Sequence, residues 1–450
     1  MHVLFAFIVT MSILLIALVK LKISPGIALF SCAIILAMLS GISVMDTLGH
    51  LVNGFGGIMS SIGLQIIFGG IFGVMLGDSG AMEELAKAML RTFGRKNDIL
   101  ALNLAGYIIF IPVYFSPAYI TLSPLVDNLQ KFTPKKGYVY ASALFTGLLL
   151  SHCIIPPSPG PLAVADQLGA NIGWFIIYGI MISLPATLLC GWQYANILNI
   201  KSSKIGADSI VKDSDLLKAN PSSPAAGLTL GLIALPIMLI VTNSLCSALL
   251  PADNLLTVVF TFIGNNNIAL FIAMLVAAFS LHRHLIPRVS EDIWAYIDKI
   301  SDSLGNFLMV IGCGNCFGLV LQKSGLGDAL VELLSDFNIP IILLAFLLAM
   351  IVRAAVGSGT VAMLTTAAIV GPSAVNTGLS PVIVGLSICA GTVGMTLPTD
   401  AAFWLPARYN NLSVNESFTA TTYPTTLASM VSFALLLIMN AFSGILPGLY

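Results

Sequence analysis

Residues 138–161 read YVYASALFTGLLLSHCIIPPSPGP. From Tyr138 to Ile155 there is no Asp, Glu, Lys or Arg, over a length close to the ~20 apolar residues that a helix needs to cross a bilayer core. The run then meets Pro156, Pro157, Pro159 and Pro161, which donate no backbone hydrogen bond and clash with the preceding turn of a helix. An apolar helix that breaks in this way exposes backbone groups, and within a membrane these are tolerated only where protein or a water-filled cavity satisfies them. The stretch therefore predicts a discontinuous membrane helix, the kind of element around which secondary transporters build their binding sites.

The remainder of the chain is of the same kind. Hydrophobic residues make up 57% of the 450 and charged residues 9%, with a mean hydropathy of +0.98, whereas soluble domains carry about 25% charged residues. The first apolar run, Val3 to Val19, has no Lys or Arg before it and no small-residue cleavage site after it, so it is expected to be a membrane helix and not a signal peptide. A net charge of -1 gives no basic patch for nucleic acid. Cys32, Cys153, Cys190, Cys246, Cys313, Cys316 and Cys389 all lie in apolar segments, where they are expected to act as small buried hydrophobes. Cys313 and Cys316 form a CxxC without a second pair, so neither a metal nor a cofactor is expected.

Basic residues collect in short cytoplasmic loops, and here they cluster: Lys20 and Lys22; Lys87, Arg91, Arg95 and Lys96; Lys131, Lys135 and Lys136; four lysines from Lys201 to Lys218; Arg283, Arg288 and Lys299; then Arg408. Placing every cluster inside predicts spans at 2–19, 24–44 and 58–77, with Asp46–Gly57 as an outside loop and both termini outside. Residues 98–129 are flanked by basic clusters at both ends and offer about 32 residues where two crossings need about 40. Pro112, Ser116 and Pro117 break their middle, which predicts a re-entrant hairpin. Spans near 138–155 and 172–197 follow.

A polar linker rich in Ser, Asp, Lys and Pro leads to the same scheme again: spans near 225–250, 257–281 and 303–322, an amphipathic stretch at 326–336, an interrupted apolar stretch at 339–372, and spans near 381–397 and 424–446. Phe72-Gly-Val-Met-Leu-Gly-Asp-Ser-Gly80 matches Phe317-Gly-Leu-Val-Leu-Gln-Lys-Ser-Gly325, each closing a span before an amphipathic stretch. The expected fold is an all-α polytopic membrane protein of two inverted-topology repeats, each with about five transmembrane helices and one re-entrant hairpin. The first repeat occupies 1–200, with its hairpin at about 98–129 and broken helix at about 138–161. A cytoplasmic linker takes 201–223, and the second repeat 224–450 has its hairpin at about 339–372 and broken helix at about 381–404.

Helix breaks near the midplane aim positive N-terminal dipoles at a shared cavity, which suits an anion. They fall at Tyr114–Pro117, Ser151–Pro161, Arg353–Thr360 and Thr396–Asp400, and each holds an N-cap residue: Ser116, Ser158, Ser358 or Thr360, Thr399 or Asp400. The predicted substrate-binding set is Ser116, Ser151, His152, Ser158, Gly160, Arg353, Gly357, Ser358, Gly359, Thr360, Thr396, Thr399 and Asp400. Charges within apolar segments are functional by default. Arg353 suits a substrate carboxylate held by two hydrogen bonds, or a structural ion pair. Asp400 suits a coupling proton, a substrate hydroxyl or neutralisation of Arg353. His152 suits proton exchange or hydrogen bonding as a neutral ring. Asp78 and Lys323, at the ends of matching spans, are expected to snorkel to the interface.

At these residues the sequence resembles the GntP family of gluconate:proton symporters, whose members take up gluconate and related hydroxy acids and, in one branch, D-serine. His152-x-x-x-Pro-Pro-Ser-Pro-Gly-Pro161, Arg353-x-x-x-Gly-Ser-Gly-Thr-Val-Ala-Met-Leu-Thr365 and Asp400-Ala-Ala-Phe-Trp404 carry the likeness. The resemblance implies the repeat-plus-hairpin plan in a bacterial inner membrane. It also implies a small organic anion and a coupling ion as partners, proton before sodium, with a homodimer as the assembly that related carriers often form.

The chain departs from the family where gluconate carriers tend to hold an acidic residue (Ser116 here), His (Ser158), Gln (Val356) and His-Val-Asn (Leu397-Pro398-Thr399). Fewer polar groups favour a smaller or less hydroxylated acid such as glycerate or lactate, or D-serine, and they shift the proton to His152 or Asp400 or let sodium replace it on Ser, Thr and backbone carbonyl oxygens. Two other classes fit less well. Thr392-Val-Gly394 lacks the rest of a potassium filter, and an intramembrane hydrolase built on Ser358 and His152 lacks any Gly-x-Ser-x-Gly or HExxH motif.

Overall fold

A computed structural model describes residues 2–21, 23–109, 115–202, 223–251, 254–289, 295–298, 300, 304–325, 340–375, 378–398 and 400–449. The hairpin tip at 110–114, most of the 201–223 linker, the amphipathic stretch 326–336 and Thr399 lie outside them. The described residues are helical, with no strand.

The helices of the first half are α1 (His2–Leu15), α2 (Pro25–Leu39), α3 (Val44–Ile58), α4 (Leu64–Asp78), α5 (Ala81–Phe93), α6 (Asp98–Ile109), α7 (Phe115–Phe132), α8 (Gly137–Ile154), α9 (Pro159–Gln167), α10 (Ile172–Thr187) and α11 (Tyr194–Ser202). Those of the second are α12 (Ala226–Leu249), α13 (Leu255–Ile263), α14 (Asn266–Val289), α15 (Gly305–Lys323), α16 (Ile341–Val356), α17 (Gly359–Val375), α18 (Pro381–Val393), α19 (Trp404–Tyr409), α20 (Val414–Ser417) and α21 (Tyr423–Ala441). Several starts follow simple chemistry. Pro25, Pro159 and Pro381 open α2, α9 and α18 after a serine, at the position where a missing N–H costs nothing. Asn171 caps α10 by accepting from Trp174 N at 3.1 Å.

The same packing order occurs twice. In the frame, α2 lies on α15 while α4 lies on α14; α1 covers α2 and α12 covers α14. Toward the centre, α6 packs on α8 and α16 on α18, and the second arms cross over, α7 to α19 and α17 to α9. Gly80 and Gly325, which end the two matching sequence stretches, share the same left-handed φ of +77°. With 12 and 16 residues, α6 and α16 rise about 18 and 24 Å, short of the ~30 Å hydrocarbon core.

Helices α8 and α18 are apolar and buried on every side, which places both broken helices at the middle of the bundle. Outer helices present Phe5, Met238, Phe262, Phe279 and Ile438 outward, the faces a bilayer covers. Close approach at the centre depends on missing side chains. A Cβ on Gly106 of α6 would stand 2.8 Å from the Leu144 carbonyl oxygen of α8, and one on Gly391 of α18 would stand 2.9 Å from Ala349 Cβ of α16. Because the obstacle at Gly106 is backbone, Gly106→Val is expected to cost about 1–3 kcal/mol or more, read as a lower melting temperature of the purified protein.

Two sequence expectations need correction. Asp46–Gly57 is no outside loop: α3, a π-turn (Met59–Gly63) and α4 form one continuous helix over Val44–Asp78. Its glycines and polar residues read as a loop, but Thr47, Leu51, Gly54 and Ile58 recur at helical spacing and are buried against α15. Asn315 Nδ2 donates to the Gly54 carbonyl at 2.8 Å, and Cys316 Sγ lies 3.1 Å from that of Leu51. The span expected at 257–281 is also divided, since the chain turns at Gly264 and Asn265 between α13 and α14.

Candidate functional site

Arg353 lies in the last turn of α16, which ends at Gly357 in the left-handed conformation (φ +71°) with its N–H donating to the Arg353 carbonyl at 2.9 Å. The chain turns at once, and Ser358 occupies the N-cap of α17. Its carbonyl accepts from Ala362 N at 3.0 Å, while its hydroxyl is 3.5 Å from Val361 N. Folded back over this turn, the Arg353 guanidinium fills the place that a side chain on Gly359 would take, close to Cys153 Sγ of α8.

Nη2 of Arg353 forms an ion pair with Asp400, and both side chains are almost fully enclosed, at 4% and 8% exposure. Asp400 Oδ1 also accepts from Ala402 N at 2.8 Å, so the carboxylate caps the short turn that follows α18. Nε of Arg353 is buried and has no hydrogen-bond acceptor among the described residues. Charged donors seldom remain in that state, because an unmade bond forfeits the solvation it replaced.

The ends of both broken helices surround this pair. His152, in the last turn of α8, is half-buried and within electrostatic reach of Arg353. Ser158 stands at the N-cap of α9, yet its hydroxyl donates to the His152 carbonyl at 2.5 Å rather than capping the helix. Gly160 faces α17, where an added Cβ would meet Met363 Sδ at 2.6 Å and Thr360 Oγ1 at 3.7 Å. Cys153 Sγ points to the Thr392 carbonyl at 4.0 Å, at the end of α18. His152, Ser158, Gly160, Arg353, Gly357, Ser358, Gly359, Thr360 and Asp400 thus come together where α8, α9, α16, α17 and the segment after α18 meet.

Other residues of the predicted set sit differently. The Ser151 hydroxyl donates to the Gly147 and Leu148 carbonyls at 3.2 Å and is used within α8. Thr396 is turned toward α21, 3.3 Å from Thr425 Oγ1, with its carbonyl accepting from Thr422. Beside it, Met395 holds a left-handed φ of +55°, a strained backbone tied by Thr426. Ser116 falls in the first turn of α7, which runs from Phe115; Thr399 lies outside the described residues. Asp78 does more than snorkel, since it accepts from Tyr296 at 2.5 Å.

The profile described as GntP family permease matches residues 1–442. The chain belongs to the GntP permease family. Among its relatives, the D-serine transporter DsdX of Escherichia coli is 32% identical over 435 residues, covering 95% of this chain and 96% of that one. A gluconate permease of Pseudomonas aeruginosa is 29% identical over 434 residues, covering 96% of each. The Alcanivorax borkumensis YdaH transporter shares the fold, with a TM-score of 0.63 at 14% identity over 89% of each chain. The chain is therefore a multi-pass membrane transporter of the gluconate permease family and not an enzyme.

Other parts of this GntP permease were not visible as candidates in its sequence. Cys153 read as one of several small buried hydrophobes, and Met363 only as part of the stretch that carries the family likeness. Tyr119 donates to Asn410 Oδ1 at 2.7 Å, and Asn410 Nδ2 donates to the Ser123 carbonyl at 3.0 Å and to Asp127 at 2.9 Å, which ties α7 to the end of α19. No spacing in the sequence connects residues so far apart. A sharp test of the Arg353 niche is Gly359→Ala. Alanine is the better helix former by about 1 kcal/mol, so only the collision with the guanidinium opposes it. Apparent substrate affinity is expected to fall by about tenfold, the equivalent of 1.4 kcal/mol, in initial-rate uptake.

Proposed function

We propose that the chain imports a small hydroxy-carboxylate, gluconate-like or smaller such as glycerate, by proton symport across the bacterial inner membrane. The observation that carries this reading is Arg353: an almost fully enclosed guanidinium with one nitrogen on Asp400 and Nε without an acceptor among the described residues. A substrate carboxylate supplies that acceptor and competes with Asp400 for the guanidinium. Released from its cation, Asp400 becomes a group that can take a proton, and His152 is the second titratable side chain at the site; these two are the coupling candidates there.

The wider site consists of Ser158, Gly160, Gly357, Ser358, Gly359 and Thr360 around that pair. Twice-repeated packing and the paired turns at Gly80 and Gly325 support two repeats, 1–200 and 224–450, of inverted topology, with alternating access about the helix breaks. With the basic clusters and the 201–223 linker inside, both termini lie outside.

A D-serine carrier is the second reading. It is favoured by the DsdX relative and by the pairing itself, since Arg353 and Asp400 offer a cation and an anion to a zwitterion. Ligand-induced stabilisation separates the two, because a ligand raises stability by RT ln(1 + [L]/Kd). Gluconate, D-glycerate or L-lactate is expected to raise the melting temperature of the wild type and not of Arg353→Gln. A rise with D-serine alone selects the amino-acid reading, and no rise with any of the four overturns the substrate class.

A further inference from the structure

Carboxylates set among the described helices are held either by a cation or by a neutral donor. Arg353 holds Asp400, Lys135 and Tyr140 hold Asp98, Arg91 holds Glu84, Tyr296 holds Asp78 and Asn410 holds Asp127. Asp166 is of the second kind. It stands one residue from the end of α9, and its partner is a hydroxyl: Ser61 Oγ, on the π-turn between α3 and α4, donates to it at 2.7 Å. Among the described residues it forms no ion pair.

Asp166 lines a cavity of about 290 Å³ together with Gln167, Asn315 and small residues such as Gly57, Gly318 and Gly371, and none of the described residues that line it is Lys, Arg or His. Titratable side chains on the surrounding elements are elsewhere. The π-turn and α17 have none; α8 has His152 and Cys153, with Tyr138 and Tyr140 at its far end; α10 has Tyr178, which donates to Pro447, and α18 has Cys389. On the frame side α15 has Cys313, Cys316 and Lys323, and α3 has Asp46 and His50 in its first turns.

This cavity lies between two groups of elements that already touch beside it, α17 packing on α15 and Leu162, Ala163 and Leu364 clustering with Ile58, Ile62 and Ile311. On one side are α9 and α17, whose N-termini meet beside Arg353; on the other are α3, its π-turn and α15. Among the described residues, two side-chain hydrogen bonds between these groups border it, Ser61 to Asp166 and Gln167 Nε2 to Asn315 Oδ1 at 3.2 Å. Closing the gap would enclose Asp166 without a cation, which is prohibitive for a carboxylate and tolerable for a neutral carboxyl. A protonated carboxyl also brings a donor to a cavity in which Gln167 Oε1 is buried without a partner. Since α9 is one short helix of about two and a half turns that starts at the Ser158 end, with Asp166 about 12 Å along it, movement at the cavity is movement at the site.

We propose that Asp166 is the carboxylate that must take up a proton before α9 and α17 close onto α3 and α15, so that proton binding at this cavity licenses the transport movement. This rests on the symport reading above, and the test keeps the two apart. Full-length protein in proteoliposomes is supplied with labelled gluconate, D-glycerate and D-serine, and measured for accumulation under an inward proton gradient and for counterflow exchange at equal pH. For wild type, one proton per monoanion gives an accumulation ratio of about tenfold per pH unit.

Asp166→Asn, permanently neutral, is expected to keep exchange near the wild-type rate, to lose accumulation so that the ratio falls to one, and to show uptake that no longer depends on pH. Asp166→Glu is expected to keep accumulation. Proton-driven accumulation by Asp166→Asn with the wild-type pH profile overturns the proposal and leaves the symport reading intact. Loss of exchange in both Asp166→Asn and Asp166→Glu overturns it too, as the mark of a structural role. Wild type that accumulates none of the three under the proton gradient overturns the symport reading itself.

Discussion

Arg353→Lys is expected to lower transport by about 30-fold or more, although it keeps the positive charge; truncating one partner of a buried, hydrogen-bonded charge pair costs about 2–5 kcal/mol. The reason is geometric. The guanidinium presents donors in one plane, one already on Asp400, one against Gly359 and Nε without an acceptor. It can therefore hold Asp400 and a second carboxylate together, or pass from one to the other without leaving its niche. A lysine ammonium is a point charge on a flexible stem and lacks that fork. Initial-rate uptake at matched protein amounts measures the loss, and the melting temperature without substrate shows that folding is kept. Uptake within a few-fold of wild type would remove Arg353 from the substrate contacts.

Asp400→Asn is expected to produce the largest loss of stability. It leaves Arg353 charged and enclosed with no counterion, a change worth about 3–5 kcal/mol when one partner of a buried ion pair is removed. Adding Arg353→Gln is expected to recover most of that loss, because two neutral amides need no counterion and can hydrogen bond to each other. A double-mutant cycle on melting temperatures isolates the interaction. Transport is not expected to return with stability, since the double variant has neither the cation for a carboxylate nor the acid for a proton. If Asp400→Asn melts like the wild type, the ion pair is not what holds this region together.

Much of this fold was legible because a membrane makes few demands and enforces them strictly. Charge-free runs identified the spans, and prolines at 156–161 and glycines at 357 and 359 located the breaks around which Arg353, His152 and Asp400 gather. The same rule misled at Asp46–Gly57. There a helix is stabilised by packing against α15, and Gly54 is present for closeness and not for flexibility. Hydroxyls were the least readable: Ser151, Ser158 and Thr396 lie at the breaks, but their hydrogen bonds go to nearby backbone or to Thr425. Helix membership alone does not say which of two carbonyls or cavities a serine will choose. Asp166 was passed over for a similar reason. One carboxylate near a helix end is unremarkable in sequence, and it stands out only when the neighbouring elements are seen to bring Ser61, Gln167 and Asn315 and no cation.

The most direct measurement is uptake of labelled gluconate, D-glycerate, L-lactate and D-serine by wild-type protein and Arg353→Gln in proteoliposomes, under an inward proton gradient, an inward sodium gradient or neither. A carboxylate accumulated by the wild type only under the proton gradient, and by Arg353→Gln under none, is the expected result. Accumulation driven by sodium alone, or accumulation that Arg353→Gln retains, would contradict it.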